Sequence, residues 1–108
     1  MSSETVPYVQ ESEFDDVLTQ EKVVVVDFTA TWCGPCRLIS PLMDQLAEAY
    51  KGRVKVVKID VDNNKPIFKK FGLRSIPAVL IFQDGKLAET IVGVSPYEQF
   101  TAAVDKLL

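Results

Sequence analysis

The run Val23-Val24-Val25-Val26-Asp27-Phe28 limits the fold of this chain more than any other stretch. Successive side chains of a strand point to opposite faces, so an unbroken run of valines cannot keep one face apolar and the other polar. Such a run reads as a central strand buried on both faces, in a sheet covered by helices on each side. The 108 residues fit one domain, spanning 1–108, with enough chain to bury a core of that kind.

The rest of the chain supplies the layers. Val6-Pro7-Tyr8-Val9 is a short strand, at an edge because Pro7 cannot donate to a ladder. Ser12-Glu13-Phe14-Asp15 starts a helix that runs to about Glu21, with Phe14, Val17 and Leu18 at helical spacing. Gly34 to Tyr50 reads as a long helix with Leu38, Leu42, Leu46 and Ala49 on its buried stripe, a bend at Pro41 and Gly52 beyond its end. Val54 to Val61 is a second buried strand. Asp62-Asn63-Asn64 is a turn, and Pro66 opens a short helix ending at Phe71-Gly72. Ala78 to Phe82 and Leu87 to Val92 are strands joined by the hairpin turn Asp84-Gly85. Ser95-Pro96-Tyr97-Glu98 has the form of a capping box, and the helix it opens turns Phe100, Ala103, Val104 and Leu107 inward. The order is β-α-β-α-β-α-β-β-α, an α/β layer sheet closed by an antiparallel hairpin.

Composition excludes several kinds of function. A net charge of −3 argues against nucleic acid or an anionic membrane as partner. No apolar run reaches the roughly 18 residues of a membrane span. Met1-Ser2-Ser3-Glu4-Thr5 has neither the basic nor the apolar region of a signal peptide, so the chain is expected to be cytoplasmic, or a mature form whose presequence was removed. The absence of histidine removes imidazole as base, metal ligand or pH switch.

Chemistry concentrates in Thr31-Trp32-Cys33-Gly34-Pro35-Cys36-Arg37, which holds the only tryptophan and both cysteines. Two thiols at this spacing can close a small disulfide ring. A cysteine at a helix start gains thiolate character, because free N–H groups and the helix dipole favour negative charge there. Cys33 is therefore expected to be exposed and reactive, and Cys36, one turn in, buried. Two other readings compete: inert buried thiols, or half of a zinc site. A structural zinc takes four ligands, so with two cysteines and no histidine a second chain would have to complete it. A further possibility is a binding module whose apolar surface matters and whose thiols do not. Asp27 follows the valines directly, and a carboxyl in that setting is desolvated, with a raised pKa. For Lys58, in the next strand, a surface lysine at a strand end is the alternative reading.

Trp32-Cys33-Gly34-Pro35-Cys36 resembles the active-site signature of the thioredoxins. The resemblance extends through Val26-Asp27-Phe28, Ser75-Ile76-Pro77 and Val92-Gly93, and covers the chain from about Val6 to Leu108. It departs at Thr29, where many bacterial members carry a second tryptophan. The resemblance implies the thioredoxin fold, a central mixed sheet flanked by four helices. It implies a protein-disulfide reductase with Cys33 as nucleophile and Cys36 as resolving thiol. Asp27 would handle the proton of Cys36, with Lys58 near that carboxylate. Trp32, Gly34, Pro35, Ile76, Val92, Gly93 and Val94 would form the apolar docking patch around the disulfide. Pro77, which sequence alone would leave trans, would be cis and face the disulfide, freeing the backbone of Ile76 to pair with an extended substrate. Arg37 and Asp62 read as solvated surface, Arg37 lending the Cys33 thiolate modest support. No bound cofactor is expected, and the chain has no G-x-G-x-x-G nucleotide fingerprint. The implied partners are disulfide-containing proteins and a separate thioredoxin reductase, flavin- or ferredoxin-linked, with the chain itself a monomer.

Overall fold

The computed structural model describes residues 6–108, so the expectation for the first five residues lies outside the described part. Four strands form one sheet: β1 (Val23–Thr29), β2 (Val54–Asp60), β3 (Ala78–Gln83) and β4 (Lys86–Val92), in the spatial order β2-β1-β3-β4. β1 and β2 run parallel, while β1 with β3 and β3 with β4 run antiparallel. The helices are α1 (Phe14–Val17), α2 (Gly34–Ala49), α3 (Lys65–Lys70) and α4 (Tyr97–Asp105). This is the mixed sheet with flanking helices that the resemblance implied.

The valine run behaves as its composition requires. Val23 and Val25 enter a core with Ile39, Met43 and Leu46 of α2 and Phe100 and Val104 of α4. Val24, Val26 and Phe28 enter a second core with Phe14 and Val17 of α1 and Ile67 of α3. Burial of each such side chain stabilises the fold by about 1.5–3 kcal/mol relative to exposure. The β3–β4 turn needs positive φ at both positions, and Asp84 (52°) and Gly85 (82°) supply it. Tyr50 donates its hydroxyl hydrogen to Asp105 Oδ1 at 2.6 Å, tying the end of α2 to α4.

Several expectations change. Val6 to Val9 forms no strand. Tyr8 makes a single parallel bridge to Lys58, with Val9 N–H donating to Lys58 O at 2.8 Å and Lys58 N–H to Pro7 O at 2.9 Å. Pro7 has no N–H with which to carry the ladder on. The first helix is split: a 3-10 turn at Glu11–Glu13 precedes α1, which ends at Val17 rather than Glu21. Thr19 there donates both its N–H and its hydroxyl to Asp16 O, closing the helix end. The second strand stops at Asp60, and Val61 opens a 3-10 turn. The capping box at Ser95 does not form; Pro96 is the N-cap of α4, with no side-chain cap bond. On α2 the buried residues are Cys36, Ile39, Met43, Leu46 and Ala47, whereas Leu38 is 63% exposed and Ala49 is exposed. The helix carries two adjacent stripes at helical spacing, and the one with Ile39 and Met43 faces the sheet.

Candidate active site

β1 leads through Ala30-Thr31-Trp32 straight into α2, so the strand's end and the helix's start converge on the cysteines. Cys33 is the N-cap of α2, and its Sγ accepts from Cys36 N–H at 3.2 Å. Pro35 suits this first turn because its missing N–H would have had no partner there. Cys33 and Cys36 are joined as a disulfide with Cα atoms 5.3 Å apart. Both are 3% exposed, which corrects the expectation of an exposed Cys33. In this oxidised form its sulfur is bonded to Cys36 and packs in the cluster that holds Ala30 and Ala78.

Around the ring, Trp32 is 65% exposed and Gly34 and Pro35 are exposed. The indole Nε1–H donates to Asp62 Oδ2 at 2.8 Å, so Asp62 orients Trp32 and is more than solvated surface. Arg37 donates to Thr31 O at 3.0 Å and braces the loop before the ring. Trp32 lines a groove with Val61, Phe68, Arg74, Ser75 and Ile76. The Ile76–Pro77 peptide is cis. Gly93 N–H donates to Pro77 O at 2.8 Å, which brings the exposed Val92 and Val94 to the same edge as Ile76 and Pro77.

Asp27 is 1% exposed. Burial pushes its carboxyl up to about 7, and the Lys58 charge opposes that rise. By strand alternation Asp27 shares the face of Val23 and Val25, the face that α2 covers. Lys58 is its register partner on β2, buried at 6% exposure, so the surface reading of this lysine is set aside. Yet Lys58 Nζ donates to Ser40 Oγ at 2.8 Å and lies 5.7 Å from the centroid of the Tyr8 ring. Among the described residues the one ion pair joins Lys106 to Glu89, and Asp27 Oδ1 has no hydrogen-bond partner. Ser40, Tyr8, Asp62, Phe68 and Arg74 were not singled out as site residues from sequence. Only the helical offset of Ser40 from Cys36 offered a signal.

The family model for thioredoxins matches residues 5–106. A thioredoxin from Synechocystis sp. is 41% identical over 103 residues, covering 94% of this chain and 96% of that one. A chloroplastic M-type thioredoxin from Chlamydomonas reinhardtii is 41% identical over 101 residues, covering 93% of this chain and 72% of that one. The solved structure of a mutant thioredoxin from Halobacterium salinarum matches with a TM-score of 0.87 and 36% identity, covering 95% of this chain and 91% of that one.

Proposed function

The chain belongs to the thioredoxin family, and from that premise we propose how its residues share the work of a thiol–disulfide oxidoreductase. The protein reduces disulfides in other proteins. The observation that carries the division of labour is the Cys33–Cys36 ring at the N-terminus of α2. In the reduced protein Cys33, as N-cap, receives the field of the helix start and is the attacking thiolate. It bonds to one sulfur of a target disulfide, and the other target sulfur leaves with the electron pair and takes a proton.

Cys36 then resolves the mixed disulfide. Its proton passes to the Asp27 carboxylate, and its sulfur bonds to Cys33. The remaining target sulfur leaves as a thiol once protonated. Two electrons have moved from the dithiol to the target, and the ring is closed. The buried carboxyl, pushed up to about 7, suits this task because an acceptor works best near the operating pH.

The whole chain acts as one domain and one monomer. Targets dock on Trp32, Gly34, Pro35, Ile76, Pro77, Val92, Gly93 and Val94; the exposure of Trp32, Val92 and Val94 supports this reading. A separate thioredoxin reductase, flavin- or ferredoxin-linked, returns the electrons. The working compartment is the cytoplasm, where thiols are kept reduced; the rival compartment is the one named for the chloroplastic relative. Insulin reduction measured with each donor system identifies the electron source. Trapping tests the roles: Cys36→Ser is expected to accumulate mixed disulfides with target proteins and Cys33→Ser none. Preferential alkylation of Cys36 in the reduced protein near neutral pH reverses the assignment.

A further inference from the structure

Lys58 and Asp27 are register partners on adjacent parallel strands, and both are buried. A buried ammonium beside a buried carboxylate ordinarily forms a bonded pair, because pairing offsets part of the desolvation of each. Here the Lys58 ammonium donates to Ser40 Oγ at 2.8 Å instead, and it lies over the Tyr8 ring, 5.7 Å from the centroid. Asp27 Oδ1 has no partner among the described residues. Ser40 follows Cys36 by four positions on α2, about one helical turn, so the two share a side of the helix.

We propose that Ser40 is a positioning residue for the resolving step: its hydroxyl holds the Lys58 ammonium away from Asp27 and so keeps that carboxylate free to take the Cys36 proton. The proposal rests on the reading of Asp27 as proton acceptor. In the step it serves, the proton leaves Cys36 for Asp27, the Cys36 sulfur bonds to Cys33, and the bond from Cys33 to the target sulfur breaks. That sulfur departs with the electron pair.

The groups around Asp27 are few. β2 brings Lys58 and, further along the same face, Asp60. The segment bridged to β2 brings Tyr8, whose hydroxyl is held above its ordinary pKa by burial and by the negative charges of Asp27 and Asp60. α2 brings Ser40 and, once the ring is open, the Cys36 thiol. The partner on β3 is Val79, which carries no charge. If the Ser40 hydroxyl is removed, Lys58 loses its bonded acceptor, and Asp27 Oδ1 is the unmet one in register with it. A carboxylate that gains an adjacent ammonium titrates about 1–3 pH units lower and becomes the weaker base.

The test uses the reduced protein and the variants Ser40→Ala, Ser40→Thr, Lys58→Met, the double variant Ser40→Ala with Lys58→Met, and Asp27→Asn. Two quantities are followed across pH: the carbon-13 titration of the Asp27 carboxyl, and the rate at which Cys36 resolves a mixed disulfide between Cys33 and a peptide. Ser40→Ala is expected to lower the Asp27 midpoint by at least about one pH unit and to slow resolution at neutral pH several-fold. Ser40→Thr, which keeps the hydroxyl, restores both, and in the Lys58→Met background Ser40→Ala changes neither. An unmoved midpoint in Ser40→Ala, or an equal shift without Lys58, overturns the role of Ser40 and leaves the acceptor reading standing. A midpoint that moves while Asp27→Asn resolves at the normal rate overturns the acceptor reading, and the proposal with it.

Discussion

In its proposed role as proton acceptor, Asp27 sets stability and activity against each other. Its folded pKa of about 7 lies above the unfolded reference, which is about 3.9. Below the lower value both states hold the proton and folding is not penalised. As pH rises through the window the unfolded chain ionises first, and stability falls by about 1.4 kcal/mol for each pH unit crossed. Above the window the penalty is constant. Asp27→Asn is therefore expected to raise the urea midpoint near pH ~8 and to leave it nearly unchanged in acid. Turnover on a protein disulfide is expected to drop on the order of 100-fold, the lower end of what a positioned acid or base contributes. Equal midpoints at both pH values remove the desolvated carboxylate from the account.

Element-scale behaviour is clearest on α2. The helix must cover the sheet with one face and present Cys33 and Cys36 at its first turn, and both demands fix its rotation together. Cys36, Ile39, Met43 and Leu46 lie at helical spacing and are all buried. Leu38, an attractive core residue by composition, is turned outward as a consequence. Leu46→Ala is expected to destabilise by about 2–5 kcal/mol, and Leu38→Ala by no more than about 0.5 kcal/mol. Urea unfolding of the two variants side by side distinguishes this orientation from the rejected stripe, which would make both costly.

The proposed docking surface is a property of the whole molecule, assembled from segments distant in sequence. Trp32 comes from the loop before α2, Ile76 and Pro77 precede β3, and Val92 to Val94 follow from β4. The Trp32–Asp62 and Gly93–Pro77 hydrogen bonds hold these segments in place. Gly93 sits at φ 90°, where any side chain would strain the backbone as well as block the surface. Val92 therefore gives the cleaner test. Val92→Asp places a charge on an apolar docking edge and is expected to weaken reduction of folded protein targets by about tenfold or more, the loss of about 1.4 kcal/mol of binding. Reduction of a small disulfide reagent, which needs no docking, is expected to stay within about twofold. Equal losses on both substrates place the effect in the chemistry rather than in docking.

The local sequence was sufficient for several short-range signals, though not for the capping box at Ser95, where Pro96 became the N-cap. Val23 to Val26 specified a strand buried on both faces, because no neighbour can change strand alternation. Asp84-Gly85 specified its turn through the backbone angles it tolerates, and the spacing of the cysteine pair permitted the ring that the structure shows. Asp27 was legible as buried because its own strand neighbours surround it. Tertiary structure decided what depends on a partner from another element. Pro7 left Tyr8 with one bridge to Lys58 rather than a strand, and sheet contact chose between the two stripes of α2. Asp62 looked like solvated surface until folding set Trp32 against it. Beyond its helical offset from Cys36, Ser40 carried no signal of which group it would bind, since a serine hydroxyl binds whichever donor the fold delivers. That donor is Lys58, 18 residues away in sequence, and only the packing of α2 across the sheet brings the two together.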